Sequence, residues 1–262
     1  RCVRDAEVVG SNPAIPTIRT PDRQAGSPAC RRIRERPMLE SLFTALGYGL
    51  CHQLPERSFF AGGFQLPVCA RDTGIYLGFV AGLAVLWTLS RHRRPTDLPR
   101  WPVLAVIGVF ILSMALDGIT SYAGLRTTTN DLRLLTGLVT GWGLATLTLP
   151  MVHSQLWVRA DIGRVPDGIG QSGVWLIALA GTFGVAKWVL PLLGVAYPLL
   201  VSVAIIVTFV VVNLVFVGLM PVFERRANRV RDLGPQLLVA LLLGAAELAG
   251  ASLLRVIAER LA

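Results

Sequence analysis

From residue 73 onward, long apolar stretches alternate with short polar ones, and six of the stretches are long enough to be membrane spans. A helix needs about 20 mostly apolar residues to cross roughly 30 Å of hydrocarbon at 1.5 Å per residue. The pattern predicts spans at 73–90, 101–120, 132–157, 173–193, 197–220 and 235–258. Within these stretches the apolar residues run continuously and do not alternate with period two, so helices are expected and a β-barrel is not. Apart from Arg133 and Arg255 close to span ends, charged side chains inside the spans are few: Asp117 near the end of the second, Lys187 in the fourth and Glu247 near the middle of the sixth. Residues 41–50, SLFTALGYGL, are too short to span, but Leu42, Phe43, Leu46 and Leu50 share one helical face and predict an interfacial helix. The expected fold class is therefore all-α: a polytopic transmembrane bundle over 73–262, preceded by an interfacial helix and cap over 38–72.

Composition reinforces this reading. Of 262 residues, 53% are hydrophobic and 16% charged, against about 25% charged in ordinary soluble chains. The net charge of +9 comes from arginines clustered between apolar runs, not along one polar surface, so nucleic acid is not an expected partner and the lipid bilayer is. Lys187 is the sole lysine, a bias that points to a GC-rich bacterial gene.

Residues 1–37 have no apolar run, several prolines and eight arginines, and no core can be built from them. Gly10-Ser11-Asn12-Pro13 reads like the in-frame translation of a tRNA T-arm. The expectation is that 1–37 is disordered, that it is not genuine coding sequence, and that the protein starts at Met38. The segment lacks the apolar stretch of a signal peptide.

The short loops carry unequal positive charge. One side holds Arg91, Arg93, Arg94, Arg100, Arg159, Arg164, Arg225, Arg226, Arg229 and Arg231; the other, counted from Met38, holds Arg57, Arg71, Arg126, Arg133, Arg255 and Arg260. The richer side is expected to be cytoplasmic, which makes the chain a multi-pass cell-membrane protein with both termini outside.

On that orientation, polar residues from distant parts of the sequence meet at the outer face. The stretch 51–78, CHQLPERSFFAGGFQLPVCARDTGIYLG, contributes Cys51, His52, Glu56, Arg57, Cys69, Arg71 and Asp72. Asp117, Arg126, Asn130 and Arg133 join from the second and third spans and the loop between them. Such convergence beside hydrocarbon is costly to maintain and marks a candidate site.

The words Cys-His-Gln, Pro-Glu-Arg-Ser-Phe, Pro-Val-Cys-Ala-Arg and Thr-Gly-Ile-Tyr-Leu-Gly resemble a family of predicted prokaryotic membrane proteins known as domain of unknown function 2085. Asp117-Gly118 and the run from Thr129 to Gly137 extend the resemblance over roughly 45–145. The resemblance supports the site and implies no activity. Family members continue Cys-Ala-Arg-Cys, whereas here Asp72 takes the second cysteine position.

Three readings of the cluster stand side by side. Cys51, His52, Cys69 and Asp72 are all zinc-ligand types, and the two-residue gap between Cys69 and Asp72 is that of a zinc knuckle. A Cys51–Cys69 disulfide suits an oxidising face and would close a loop worth on the order of 3 kcal/mol. Two reduced cysteines packed as small apolar groups is the third. Elsewhere, Asp117 is expected to pair with Arg126 or Arg133, and Lys187 with Glu247. His153 and Trp157 are expected to anchor the third span at the interface.

For function, the sequence offers an outward pocket binding a metal ion or small anionic group, as accessory factor or enzyme. The alternatives are a small transporter or channel using Asp117, Lys187 and Glu247, and a structural subunit with a membrane partner or a second copy of itself. No HExxH, GxSxG, Walker A or Rossmann glycine motif is present.

Overall fold

In the computed structural model, the backbone is described for residues 28–90 and 93–261, with side chains from residue 38. Helix α1 (Pro28–Tyr48) is followed by a cap whose centre is the hairpin β1 (Phe60–Ala61) and β2 (Phe64–Gln65). Then come α2 (Ala70–Ser90), β3 (Pro95–Asp97), α3 (Trp101–Tyr122), α4 (Asn130–Leu156), β4 (Asp161–Arg164), α5 (Gly168–Gly184), α6 (Ala196–Gly218) and α7 (Gly234–Leu261). Helix α1 begins ten residues ahead of Met38, so the expectation of disorder up to residue 37 gives way at residues 28–37; residues 1–27 lie outside the described residues. The chain divides into two units, 1–42 and 43–262. All that follows concerns the second.

Among the described residues, six helical segments are long and apolar enough to cross a membrane, and they coincide with the six predicted spans. The fold is an all-α transmembrane bundle. The fourth span is not one regular helix: α5 passes through a π-helical turn at Val185–Val189 and a tight turn at Leu190–Leu193. Pro191 lacks the N–H that would continue the regular ladder. The many exposed Leu, Ile and Val side chains on α3, α5 and α7 form the lipid-facing surface.

Helices α2 and α4 form the centre of the bundle. Gly74 and Gly78 on α2 face Gly137 and Gly141 on α4 so closely that a Cβ at any of them would collide with opposing backbone. The distances would be 2.3 Å from the Leu134 and Leu138 carbonyl oxygens and 2.0 Å from those of Arg71 and Ile75. Small residues four apart allow this backbone approach, which replaces the hydrophobic drive that lipid cannot supply. Trp142, Leu138, Leu134, Leu86 and Phe79 pack around the seam.

At the face opposite the cap, β3 and β4 pair in parallel, and the Arg94 guanidinium stacks 3.5 Å over the Trp157 ring. His153 Nδ1 lies 3.1 Å from the Pro95 carbonyl oxygen. His153 and Trp157 are both buried, so they act as internal pegs for the loops and not as the interfacial anchors expected. Hydropathy sets depth along the bilayer normal, but which side of a helix faces protein depends on packing.

Candidate functional site

The cap is folded by a few specific devices. Gly62 and Gly63, both at positive φ, close the hairpin, the two-residue turn geometry that the twist of paired strands favours. Leu66 and Val68 then bury completely, each contributing about 1.5–3 kcal/mol. Between the two cysteines, Gln53 adopts a left-handed conformation (φ 52°), which costs a non-glycine residue about 1–3 kcal/mol. Four hydrogen bonds hold it there. Its Nε2 donates to the Thr44 and Pro67 carbonyls at 3.0 and 2.7 Å, its own carbonyl accepts from Gln65 Nε2 at 2.7 Å, and its N–H points at Cys51 Sγ at 3.5 Å. The sequence reading passed over Gln53, although it stands in the Cys-His-Gln word.

This loop brings Cys51 to the start of α2. The Cys69 carbonyl caps that helix by accepting from Thr73 N–H at 2.8 Å, and Cys69 and Asp72, three apart, share one face. The Cys69 thiol donates to Asp72 Oδ2 at 3.3 Å, and ligand atoms of Cys51, Cys69 and Asp72 all lie within 4.8 Å of one another. Cys51 and Cys69 are both free thiols in this structure, so of the three readings the disulfide is not formed here. His52 does not join them. Side chains of neighbouring residues in non-helical chain diverge, and His52 is exposed at the cavity rim. Hydrogen bonding from Cys69, aided by the Gln53 N–H, draws the Cys51 thiol down to about 7, while donating that hydrogen bond to Cys51, together with burial, pushes Cys69 up.

The cluster opens into a cavity of about 400 Å³, whose remaining wall includes Arg57, Arg71, Ser121, Tyr122 and Arg133. Asp117 is buried beneath it and ion-pairs with both Arg71 and Arg126, while Thr128 Oγ1 donates to it at 3.0 Å. The expected pairing with Arg126 is present. Arg71, not Arg133, is the second partner. Arg133 is buried and donates to Asn130 Oδ1 and Ser121 Oγ at 3.3 and 3.4 Å. Asn130 also ties α4 to the cap by donating to the Glu56 carbonyl at 3.2 Å; the Glu56 side chain itself is exposed. Arg57 lies over the Tyr122 ring at 5.5 Å. Of the sequence-derived cluster, Cys51, Cys69, Asp72, Arg57, Arg71 and Arg133 meet in one cavity, with Asp117 and Arg126 just behind.

Asp117→Asn would leave two guanidinium groups without their carboxylate. The expected loss is about 3 kcal/mol, the low end for breaking a buried pair because Arg126 is half exposed. Thermal unfolding in detergent should show a midpoint lower by roughly 6–12 °C, and an unchanged midpoint would remove Asp117 from its structural role.

The expected Lys187–Glu247 pair does not form. Lys187 Nζ binds Asp131 Oδ2 at 2.8 Å at the cap end of α4, whereas Glu247 accepts from Asn213 Nδ2 at 2.9 Å between α6 and α7. Lys187 is thus held at the cap end of the bundle, whereas Glu247 lies deeper, midway along α7.

No solved structure matches this chain. An uncharacterized protein of Methanocaldococcus jannaschii is 33% identical over 111 residues, 42% of this chain and 68% of that protein. One of Methanothermobacter thermautotrophicus is 38% identical over 104 residues, 40% of this chain and 88% of that protein. Both sources are archaea, so these relatives lend no support to the bacterial origin read from composition. Residues 51–147, the cap and α2 through most of α4, match the family described as predicted membrane protein, domain of unknown function 2085, and the chain belongs to that family.

Proposed function

We propose that the cap cavity is a metal centre in which Cys51 Sγ, Cys69 Sγ and the Asp72 carboxylate hold a thiophilic divalent cation, with zinc the best match to the donor set. The observation that carries this reading is the convergence of three ligand atoms within 4.8 Å of one another. Ligand atoms around tetrahedral zinc stand about 3.8 Å apart given bonds of about 2.3 Å, so a small contraction suffices. Three protein ligands leave a fourth position, and here it faces the arginine-lined cavity. That is the arrangement of a site that acts on a bound group, whereas a purely structural site is closed by four protein ligands. The pinning of Gln53 supports the same reading, since it holds Cys51 in place at a cost in backbone strain.

Elemental analysis of the purified protein should find about one zinc per chain, with both thiols protected from alkylation until a chelator is added. Thiols that label only after reduction would replace the metal by a Cys51–Cys69 disulfide. Glu247→Gln should leave metal content and stability unchanged, because the amide still accepts from Asn213. Loss of function in that variant alone would favour transport. Against transport, Asp117, Lys187 and Glu247 each have separate partners and do not line one path.

The cap is assigned to the outer side by the arginine imbalance between the loops. Alkaline phosphatase fused after residue 262 should be active in cells, and an inactive fusion would place the cavity on the cytoplasmic side.

A further inference from the structure

The metal reading leaves part of the cavity unexplained. Arg133 is 8% exposed, yet among the described residues its only hydrogen-bond partners are two neutral oxygens at 3.3 and 3.4 Å, and it makes no ion pair there. Arg57, across the same cavity, has a ring face for company and likewise no carboxylate among the described residues. Arg71 pairs with Asp117 through one nitrogen while its Nε is buried without a partner. Burying a guanidinium without a counter-charge costs several kcal/mol, and proteins ordinarily avoid it. Here three guanidinium groups line one cavity. The first turns of α2 and α4 both begin beside it, at Ala70 and Asn130, adding the positive ends of two helix dipoles.

We propose that Arg57, Arg71 and Arg133 form an oxyanion subsite beside the metal ligands, and that its ligand is a phosphate group bearing two negative charges. The charge match rests on the metal reading. A divalent ion on two thiolates and one carboxylate carries a net charge of minus one, and the three cavity arginines then leave two positive charges for the ligand. Asp117 and Arg126, outside the cavity wall, cancel each other. The geometry of the arginines does not depend on the metal. Guanidinium forks match phosphate oxygens two at a time, and Ser121 and the Tyr122 hydroxyl offer further donors at the same wall. A phosphate there would share the cavity with the metal ligands, so the subsite would present a phosphate ester to a metal held by Cys51, Cys69 and Asp72. The phosphate can come from a soluble ion or ester, or from the headgroup of a phospholipid at the membrane face.

The test uses the full chain, purified in detergent and stripped of lipid, with metal content measured on every sample. Inorganic phosphate is the soluble probe, read by equilibrium dialysis. Nanodiscs of phosphatidylcholine with and without phosphatidic acid are the lipid probe, read by protection of the cap from proteolysis. Wild-type protein should bind one or both saturably, and whichever binds identifies the source. Arg133→Gln should weaken binding by about ten- to a hundredfold while metal content stays at the wild-type level. Arg57→Gln, on the less buried cap, should do the same if Arg133→Gln fails to fold. Arg231→Gln, an equal change of charge on an exposed side chain in the loop before α7 at the opposite face, should bind as wild type does. Equal affinity in the wild type and both cavity variants, or no binding of either probe, would overturn the subsite. Metal retained with arginine-independent phosphate binding ends this proposal and leaves the metal centre standing. Arginine-dependent binding in a protein without metal does the reverse.

Discussion

Replacing Gly141 by leucine is expected to abolish the folded protein. A Cβ at that position would stand 2.0 Å from the Ile75 carbonyl oxygen and 2.9 Å from the Phe79 nitrogen, both backbone atoms that no rotamer change can move. Relief requires α2 and α4 to separate along the whole seam, which also breaks the contacts at Gly74, Gly78 and Gly137. Ordinary overpacking costs about 1–3 kcal/mol. Here the loss should exceed about 4 kcal/mol, a large part of the 5–15 kcal/mol that typically holds a native protein together. Gly108→Leu is the matched control, because a Cβ there meets nothing within 4 Å on α3. It should stay within about 0.5 kcal/mol of wild type. Size-exclusion profiles of fluorescent fusions in detergent give the readout. A monodisperse Gly141→Leu protein with a wild-type melting midpoint would mean that the two helices do not meet as described.

Cys69→Ser should release the metal. A hydroxyl offers no anionic donor at neutral pH, and loss of even an outer partner of a ligand weakens metal binding about 10–100-fold. Loss of a ligand itself should therefore exceed a hundredfold, read by competition with a chelator of known affinity. Cys51→Ser should behave alike, while His52→Ala should keep wild-type metal content because His52 stands outside the cluster. Asp72→Cys would supply a third thiolate and should retain the metal. Undiminished metal in Cys69→Ser would end the assignment.

The six spans were legible because hydrocarbon imposes one requirement on every stretch, length with low polarity, and each stretch can be scored by itself. Depth was legible too. Cys51, Cys69, Asp72, Arg71, Asp117 and Arg133 were expected at one face and do lie together at one end of the bundle. What hydropathy could not supply was rotation about each helix. Asp117 was given arginine partners at the right depth, and the azimuth added Arg71 in place of Arg133; Glu247 was given Lys187, which sits nearer the cap, and meets an uncharged Asn213 instead. Rotation would have been partly readable from the glycines. The four-residue spacing of Gly74, Gly78 and Gly82, answered by Gly137 and Gly141, marks the two faces that touch and places Arg71 on the side of α2 toward α4. The role of Gln53 lay beyond reach, because its strained backbone is set by carbonyls from Thr44 and Pro67 that no local pattern brings together.

The Arg255 guanidinium near the end of α7 donates at 2.6 Å to the carbonyls of both Tyr48 and Cys51, residues more than 200 positions earlier in the chain. During synthesis the cap emerges first and the ligand-bearing loop must wait for the last helix before its backbone is fastened. The site is thus among the last parts of the protein to mature. On the metal proposal, loading would follow insertion of α7, and a ribosome stalled within α6 would carry cap thiols still open to alkylation.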